Sequence, residues 1–287
     1  MTSMSLLLHS IKRCLGMLRR HAVAGGVIAM ATSVTITHAQ EASSRLDEIV
    51  KRGTIVVGVT SESPPFGSID EKGNLVGFEI DLAKLVAKAL FKDESKVELV
   101  RQSFSARFPN VQSGKIDIGI QVTTVYPERL LSVAFTRPYI DSGTAVLVRK
   151  DSPIKTINDL NDARYKAGLV SNPQQQERHQ RYYPKAQPVT FDGYTPLMLA
   201  LQSKRVDIVQ ADLPVARWYA AQNQELRVLS DLLSDRTYNA IFMKQGDFRL
   251  WLVMDQIVAA MRGGALYTDY AAIHEKWFGS RPDRVSP

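Results

Sequence analysis

Five histidines and one cysteine are all that this 287-residue chain offers for imidazole or thiolate chemistry. Four of those six, His9, Cys14, His21 and His38, fall within its first 39 residues. The two that remain, His179 in QERHQR and His274 in AAIHEKWFG, read as helix-surface side chains rather than general bases. The sequence has no G-x-S-x-G elbow, no P-loop, no G-x-G-x-x-G after a strand and no H-E-x-x-H. Nucleophilic catalysis, phosphate cradling and a Cys/His metal centre are therefore not indicated, and no cofactor or metal is expected. What remains are guanidinium, carboxylate and hydroxyl groups. Arg129, Arg107 and Asp212 each have an ordinary reading: a surface ion pair, a solvent-facing helix residue, and a helix N-cap before Leu213-Pro214.

The first 39 residues carry Lys12, Arg13, Arg19 and Arg20 and no acidic side chain. An apolar run from Ala22 to Ala31 follows, and then Thr37-His38-Ala39, a small-x-small pattern. That order is a secretory signal peptide, with Gln40 as the expected mature start. Cys14, flanked by Arg13 and Leu15, lacks the small-residue approach of a lipid-anchored N-terminus. Without the signal, 32 Lys and Arg face 29 Asp and Glu, so the formal charge drops from +7 to +3. The basic excess is largely a targeting feature and does not indicate nucleic-acid binding. A content of 45% hydrophobic and 23% charged residues is that of a globular domain rather than a disordered chain.

Behind the signal, apolar runs of strand length alternate with stripes of helical period. Ile55 to Val59 and Ile116 to Ile120 predict buried strands and Val97 to Val100 a further strand, separated by a stripe from Leu82 to Leu90 and a helical stretch around Val111. The alternation restarts with strands Ala167 to Val170, Pro188 to Phe191 and Asp207 to Gln210, with a helix over Pro196 to Gln202. Two helices, Phe248 to Met261 and Leu266 to Trp277, close the chain. This is an α/β pattern with two units. No Pro- or Ser-rich tether joins them, so ordered strands must cross between them; Tyr139 to Val148 and Tyr238 to Lys244 are the candidates. Thr124 lies at the carboxyl end of the strand beginning at Ile116, the end at which open α/β sheets bind ligands.

Segments of the chain resemble, in order and in register, the polar amino-acid family of periplasmic solute-binding proteins. They are RGTIVVGVTSESPPFGSIDEKGNLVGFEIDLAKLVAK, SFSARFPNVQSGKIDIGI running into QVTTVYPERLLSVAFTRPY, LMLALQSKRVDIVQADLPVA, and AAIHEKWFG. The resemblance spans about residues 45 to 280 and implies the two-lobed type 2 periplasmic binding fold. Each lobe would be a mostly parallel sheet flanked by helices, with residues 45–141 and 239–287 in one and 142–238 in the other. By the same resemblance, Arg129 in YPER is the arginine that grips a ligand α-carboxylate, and Asp212 is the acid that receives its ammonium. Thr124 adds a hydroxyl, Phe104 an aromatic that stacks on the ligand, and Phe66 a further apolar wall. Arg107 stands where several binders of acidic amino acids also carry arginine, and would suit a side-chain carboxylate or amide.

Two departures qualify the resemblance. Ser63 stands where many relatives have an aromatic lid, implying a more open or polar pocket. Ser171-Asn172-Pro173-Gln174-Gln175 replaces a Gly-Thr-Thr turn; Asn172 as N-cap and Pro173 at the first helical position would leave the amides of Gln174 and Gln175 pointing outward at a positive helix end. The function implied is a periplasmic, monomeric binding component of an ABC importer, delivering a free amino acid with an acidic or amide side chain to a membrane permease. The alternatives are a periplasmic dehydratase on the same fold and a ligand-presenting partner of a membrane sensor.

Overall fold

The protein is described from a computed structural model, which covers residues 44–233 and 236–285. The expected signal peptide and its cleavage site lie outside the described residues. The chain opens on α1 (Arg45–Arg52), capped at Ser44, whose Oγ accepts from the Leu46 amide at 3.1 Å. Then follow β1 (Ile55–Val59), the short strands β2 (Glu62–Ser63), β3 (Gly67–Ile69) and β4 (Leu75–Val76), and α2 (Phe78–Phe91). Next come β5 (Val97–Arg101), α3 (Arg107–Gln112), β6 (Ile118–Gly119), a 3-10 turn Pro127–Leu131, and β7 (Ala134–Ser142).

A second series begins at β8 (Thr144–Arg149) and runs through β9 (Lys166–Val170), α4 (Pro173–Tyr182), β10 (Gln187–Phe191) and α5 (Tyr194–Gln202). It ends with β11 (Ile208–Asp212), α6 (Leu213–Gln222) and β12 (Leu226–Val228). The chain then returns to the first series as β13 (Thr237–Met243), α7 (Phe248–Arg262) and α8 (Tyr267–Phe278).

Two five-stranded sheets result, in the orders β5-β1-β6-β13-β7 and β10-β9-β11-β8-β12, with β2, β3 and β4 forming a small antiparallel sheet. Each large sheet is mixed rather than mostly parallel. In the first, β1 runs parallel to β5 and β6, while β13 is antiparallel to both β6 and β7. In the second, β9 is parallel to β10 and β11, and β8 is antiparallel to β11 and β12. The antiparallel pairs arise because the chain enters and leaves each series without a crossover helix to reverse it. It passes from one sheet to the other at Gly143, between β7 and β8, and comes back between β12 and β13. Tyr238 to Lys244 is therefore almost wholly a strand of the first sheet, bridging β6 and β7.

Burial follows the periodicity. All five residues of β1 are buried, as a strand covered on both faces requires. On α2 the stripe Leu82, Leu85 and Val86 is at most 3% exposed. Phe78, at the start of α2, packs its ring 5.0 Å from that of Phe278 on α8. Gly77, which precedes it, has φ +147° and no room for a side chain, since a Cβ would fall 2.1 Å from the Phe66 carbonyl oxygen.

Candidate functional site

Between the two sheets lies a small cavity lined from both series. The first series contributes Phe104, Arg107, Val122, Thr124, Tyr126 and Arg129; the second contributes Thr144, Asn172, Gln175, Arg178, Tyr194, Ala211 and Asp212. Most of these stand at element ends, the positions at which open α/β sheets hold ligands. An adjoining cleft is lined by Phe104, Arg107, Arg129, Asn172 and Gln174 among others.

The backbone of the first wall is strained at Val122, whose φ is +36°, a conformation β-branched residues rarely adopt. Glu79 on α2 holds it there. Its Oε1 accepts from the Val122 amide at 2.7 Å and from the Tyr139 hydroxyl at 2.5 Å, while Oε2 has no partner among the described residues. Glu79 is fully buried, and burial pushes its carboxyl up to about 7.

Arg129 projects from the 3-10 turn and is 5% exposed. One of its terminal nitrogens donates to the Thr124 carbonyl oxygen at 2.7 Å, and the other crosses to the second wall and donates to Gln174 Oε1 at 2.7 Å. A second bridge between the walls runs from Arg178 Nη1 to the Tyr126 hydroxyl at 2.7 Å. The Tyr126 ring lies under both guanidinium groups, 4.8 Å from Arg129 and 5.5 Å from Arg178. Burial draws the Arg129 pKa down to about 10, which leaves it charged at neutral pH.

Asp212 occupies the N-cap position of α6, yet its side chain makes no cap hydrogen bond. Pro214 in the first turn has no N–H to offer, and the carboxylate turns into the cavity instead. Oδ1 accepts from Ser142 Oγ at 3.1 Å and Oδ2 from the Tyr194 hydroxyl at 3.0 Å. Burial raises its pKa, opposed by those hydrogen bonds and by Arg178 and Arg129.

Arg107, at the start of α3, is 3% exposed, which overturns the solvent-facing alternative. Its guanidinium carbon lies 5.2 Å from the centre of the Phe104 ring and 5.0 Å from that of Phe108. Burial, and then the charge of Arg129, hold its pKa below the usual arginine range.

Phe104, Arg107, Thr124, Arg129 and Asp212 thus meet at one cavity, and Gln174 borders it through Arg129. The Thr124 hydroxyl is already engaged, donating to Asn239 Oδ1 at 3.2 Å. Phe66 does not line the cavity. It is a core residue with no exposure, its ring edge-on to Phe78 and Phe278 at 6.0 and 5.8 Å. Ser63 is likewise buried, in the small sheet, and is not among the residues that line the cavity.

The outward-facing amide expected at Gln175 is also corrected. Asn172 does cap the helix, but its Oδ1 accepts from the Gln175 amide at 2.9 Å, so that donor is occupied. The Gln175 side chain turns inward, its Oε1 accepting from the Val170 amide at 2.7 Å and its Nε2 donating to the Tyr194 hydroxyl at 3.3 Å.

Sequence reasoning missed Arg178, Tyr126 and Tyr194. Arg178 carried a usable signal, because it follows Gln174 by four residues and so shares its helix face. Tyr126 and Tyr194 carried none that separates them from ordinary core aromatics.

Residues 55–280 match the bacterial extracellular solute-binding proteins, family 3. The chain belongs to that family. A glutamine-binding protein of Geobacillus stearothermophilus is 30% identical over 70% of this chain and 77% of its own length. ABC transporter arginine-binding protein 1 of Escherichia coli is 28% identical over 77% of this chain and 89% of its own. Among solved structures, an ancestral amino acid-binding protein that is a precursor of cyclohexadienyl dehydratase superposes with a TM-score of 0.75. It is 33% identical, over 82% of this chain and all of that one. The architecture is the type 2 periplasmic binding fold of these family members.

Proposed function

We propose that this solute-binding protein captures a free amino acid in the periplasm and presents it to the permease of an ABC importer. One observation carries the reading. A buried guanidinium, Arg129, and a buried carboxylate, Asp212, line the same cavity, and neither forms an ion pair among the described residues. An amino acid head group brings a carboxylate and an ammonium one carbon apart, so it answers both. Arg129 grips the α-carboxylate through charge-assisted hydrogen bonds and Asp212 receives the ammonium. Phe104 and Tyr194, from opposite walls, meet edge to face with ring centres 6.1 Å apart and border the same cavity.

Residues 45–141 with 239–287, and 142–238, act as two lobes. Since both lobes contact the ligand, it favours the closed state and shifts the population toward it. The relatives' names support the amino acid and the importer, and the basic, apolar N-terminus supports export. A thermal-shift screen against the twenty amino acids tests this, because a ligand that binds only the folded state raises its melting temperature. No shift with any of them would remove the reading.

An enzymatic role on the same fold has one observation in its favour, the likeness to a precursor of a dehydratase. Turnover needs an acid or base at the ligand. Asp212 is the only carboxylate among the cavity-lining residues, and binding an ammonium already occupies it. Unchanged ligand recovered after prolonged incubation separates the two.

A further inference from the structure

Three guanidinium groups and one carboxylate face the cavity: Arg107, Arg129 and Arg178 against Asp212. Among the described residues none of the three is ion-paired, and the Nε of each is buried without a hydrogen-bond partner. Their positions differ in one respect. Arg129 and Arg178 each donate to a side chain of the opposite wall, whereas among the described residues the Arg107 guanidinium donates no hydrogen bond. Two aromatic faces, Phe104 and Phe108, enclose it and supply no lone pair. A cation 97% buried with neither anion nor acceptor is costly in a protein interior, and such charges are ordinarily paired.

A zwitterion that occupies Arg129 and Asp212 is neutral overall, so it leaves Arg107 as it was. We infer that the ligand carries a second carboxylate, on its side chain, and that Arg107 receives it: the site is built for a dicarboxylic amino acid, glutamate or aspartate. This rests on the amino-acid reading above. An amide oxygen would give Arg107 a hydrogen bond but no compensating charge, so the amides rank second. A lysine or arginine side chain would place a fourth cation among three, where like charges repel strongly in a partly desolvated space.

Titration calorimetry on the purified protein, dialysed free of small molecules, ranks the ligands. Glutamate or aspartate should bind at least about tenfold more tightly than glutamine or asparagine, with lysine and arginine weaker still. Glutamine, lysine or arginine as the tightest ligand overturns the inference and leaves the amino-acid reading standing. Absence of binding by all twenty removes both. Arg107→Met, checked for folding by its thermal melt, should shrink the preference for glutamate over glutamine by at least about tenfold. An unchanged preference in the folded variant overturns the role of Arg107. Should the variant fail to fold, the ranking of the unmodified protein decides alone.

Discussion

On the wall supplied by the second sheet, Asp212 is held by two hydroxyls, and the hydroxyl of Tyr194 is itself tied to the Asp212 amide and Gln175. On the wall supplied by the first sheet, Arg107 rests on aromatic faces and Arg129 uses backbone and amide oxygens, with no carboxylate to neutralise either. Asp212 has hydrogen-bond partners on both oxygens before any ligand arrives, whereas the guanidinium groups of the first wall are left short of anions. A polar group already satisfied by the protein orients a ligand at modest energetic gain. A desolvated cation without a partner gains most when an anion arrives, because the cost of its burial is already present in the empty protein. On the proposed reading, the strongest ligand contacts belong to the first wall.

The largest effect expected on that wall concerns its support rather than its contacts. Glu79 fixes the strained Val122, and its folded-state pKa of about 7 lies above the ordinary 4.5 because it is buried. Between those two values the folded state keeps a proton that the unfolded chain releases. Stability should therefore fall as pH rises from about 4.5 to about 7 and level off above, by a total on the order of 3 kcal/mol. Glu79→Gln should remove that slope in urea melts taken across the range, and an unchanged slope would assign it to other groups.

Next in size is Arg129→Ala. It should cost about 1.5–3 kcal/mol, tenfold or more in affinity, for every amino acid that binds, since all share the α-carboxylate. Calorimetry on the folded variant showing no loss would take Arg129 out of the site. Asp212→Asn keeps an acceptor for only one of Ser142 and Tyr194, turns an N–H toward the other and loses the charge, so it should weaken amino acids by at least about tenfold. It should leave a dicarboxylate without an amino group, such as glutarate, unaffected or improved; equal losses for glutarate and glutamate would break the assignment of Asp212 to the ammonium. The smallest change is expected for Gln174→Ala. That bond ties Arg129 to the opposite wall but is not itself a contact to the ligand, so affinity should fall by no more than about 1 kcal/mol, the net worth of one hydrogen bond. A hundredfold loss would mean that Gln174 binds ligand directly.

The βα alternation, the three strands of β-branched residues in the first series and the two closing helices were legible because hydrophobic period reports burial directly. The mixed character of the sheets was not, since an apolar strand reads the same whether its neighbour runs parallel or antiparallel. Phe66 and Phe104 show the same limit at the site. Each follows a turn-forming stretch, yet one packs among Phe78 and Phe278 and the other faces Tyr194. Asp212 was legible both as a helix cap and as a binding residue. Only the direction of its side chain separated the two, and Tyr194 and Ser142, distant in sequence, set that direction.

By itself the sequence determined the elements, their order and the residue types able to meet an amino acid head group, because periodicity and side-chain chemistry are local properties. Tertiary structure alone decided that Arg107 is a buried cation rather than a surface one. Its helix carries no stripe long enough to mark a buried face, and its surroundings come from Phe104 beside it and from walls built by segments up to a hundred residues away. Whether a charge is solvated or stranded depends on what the fold brings around it, and that is a long-range property no local pattern encodes.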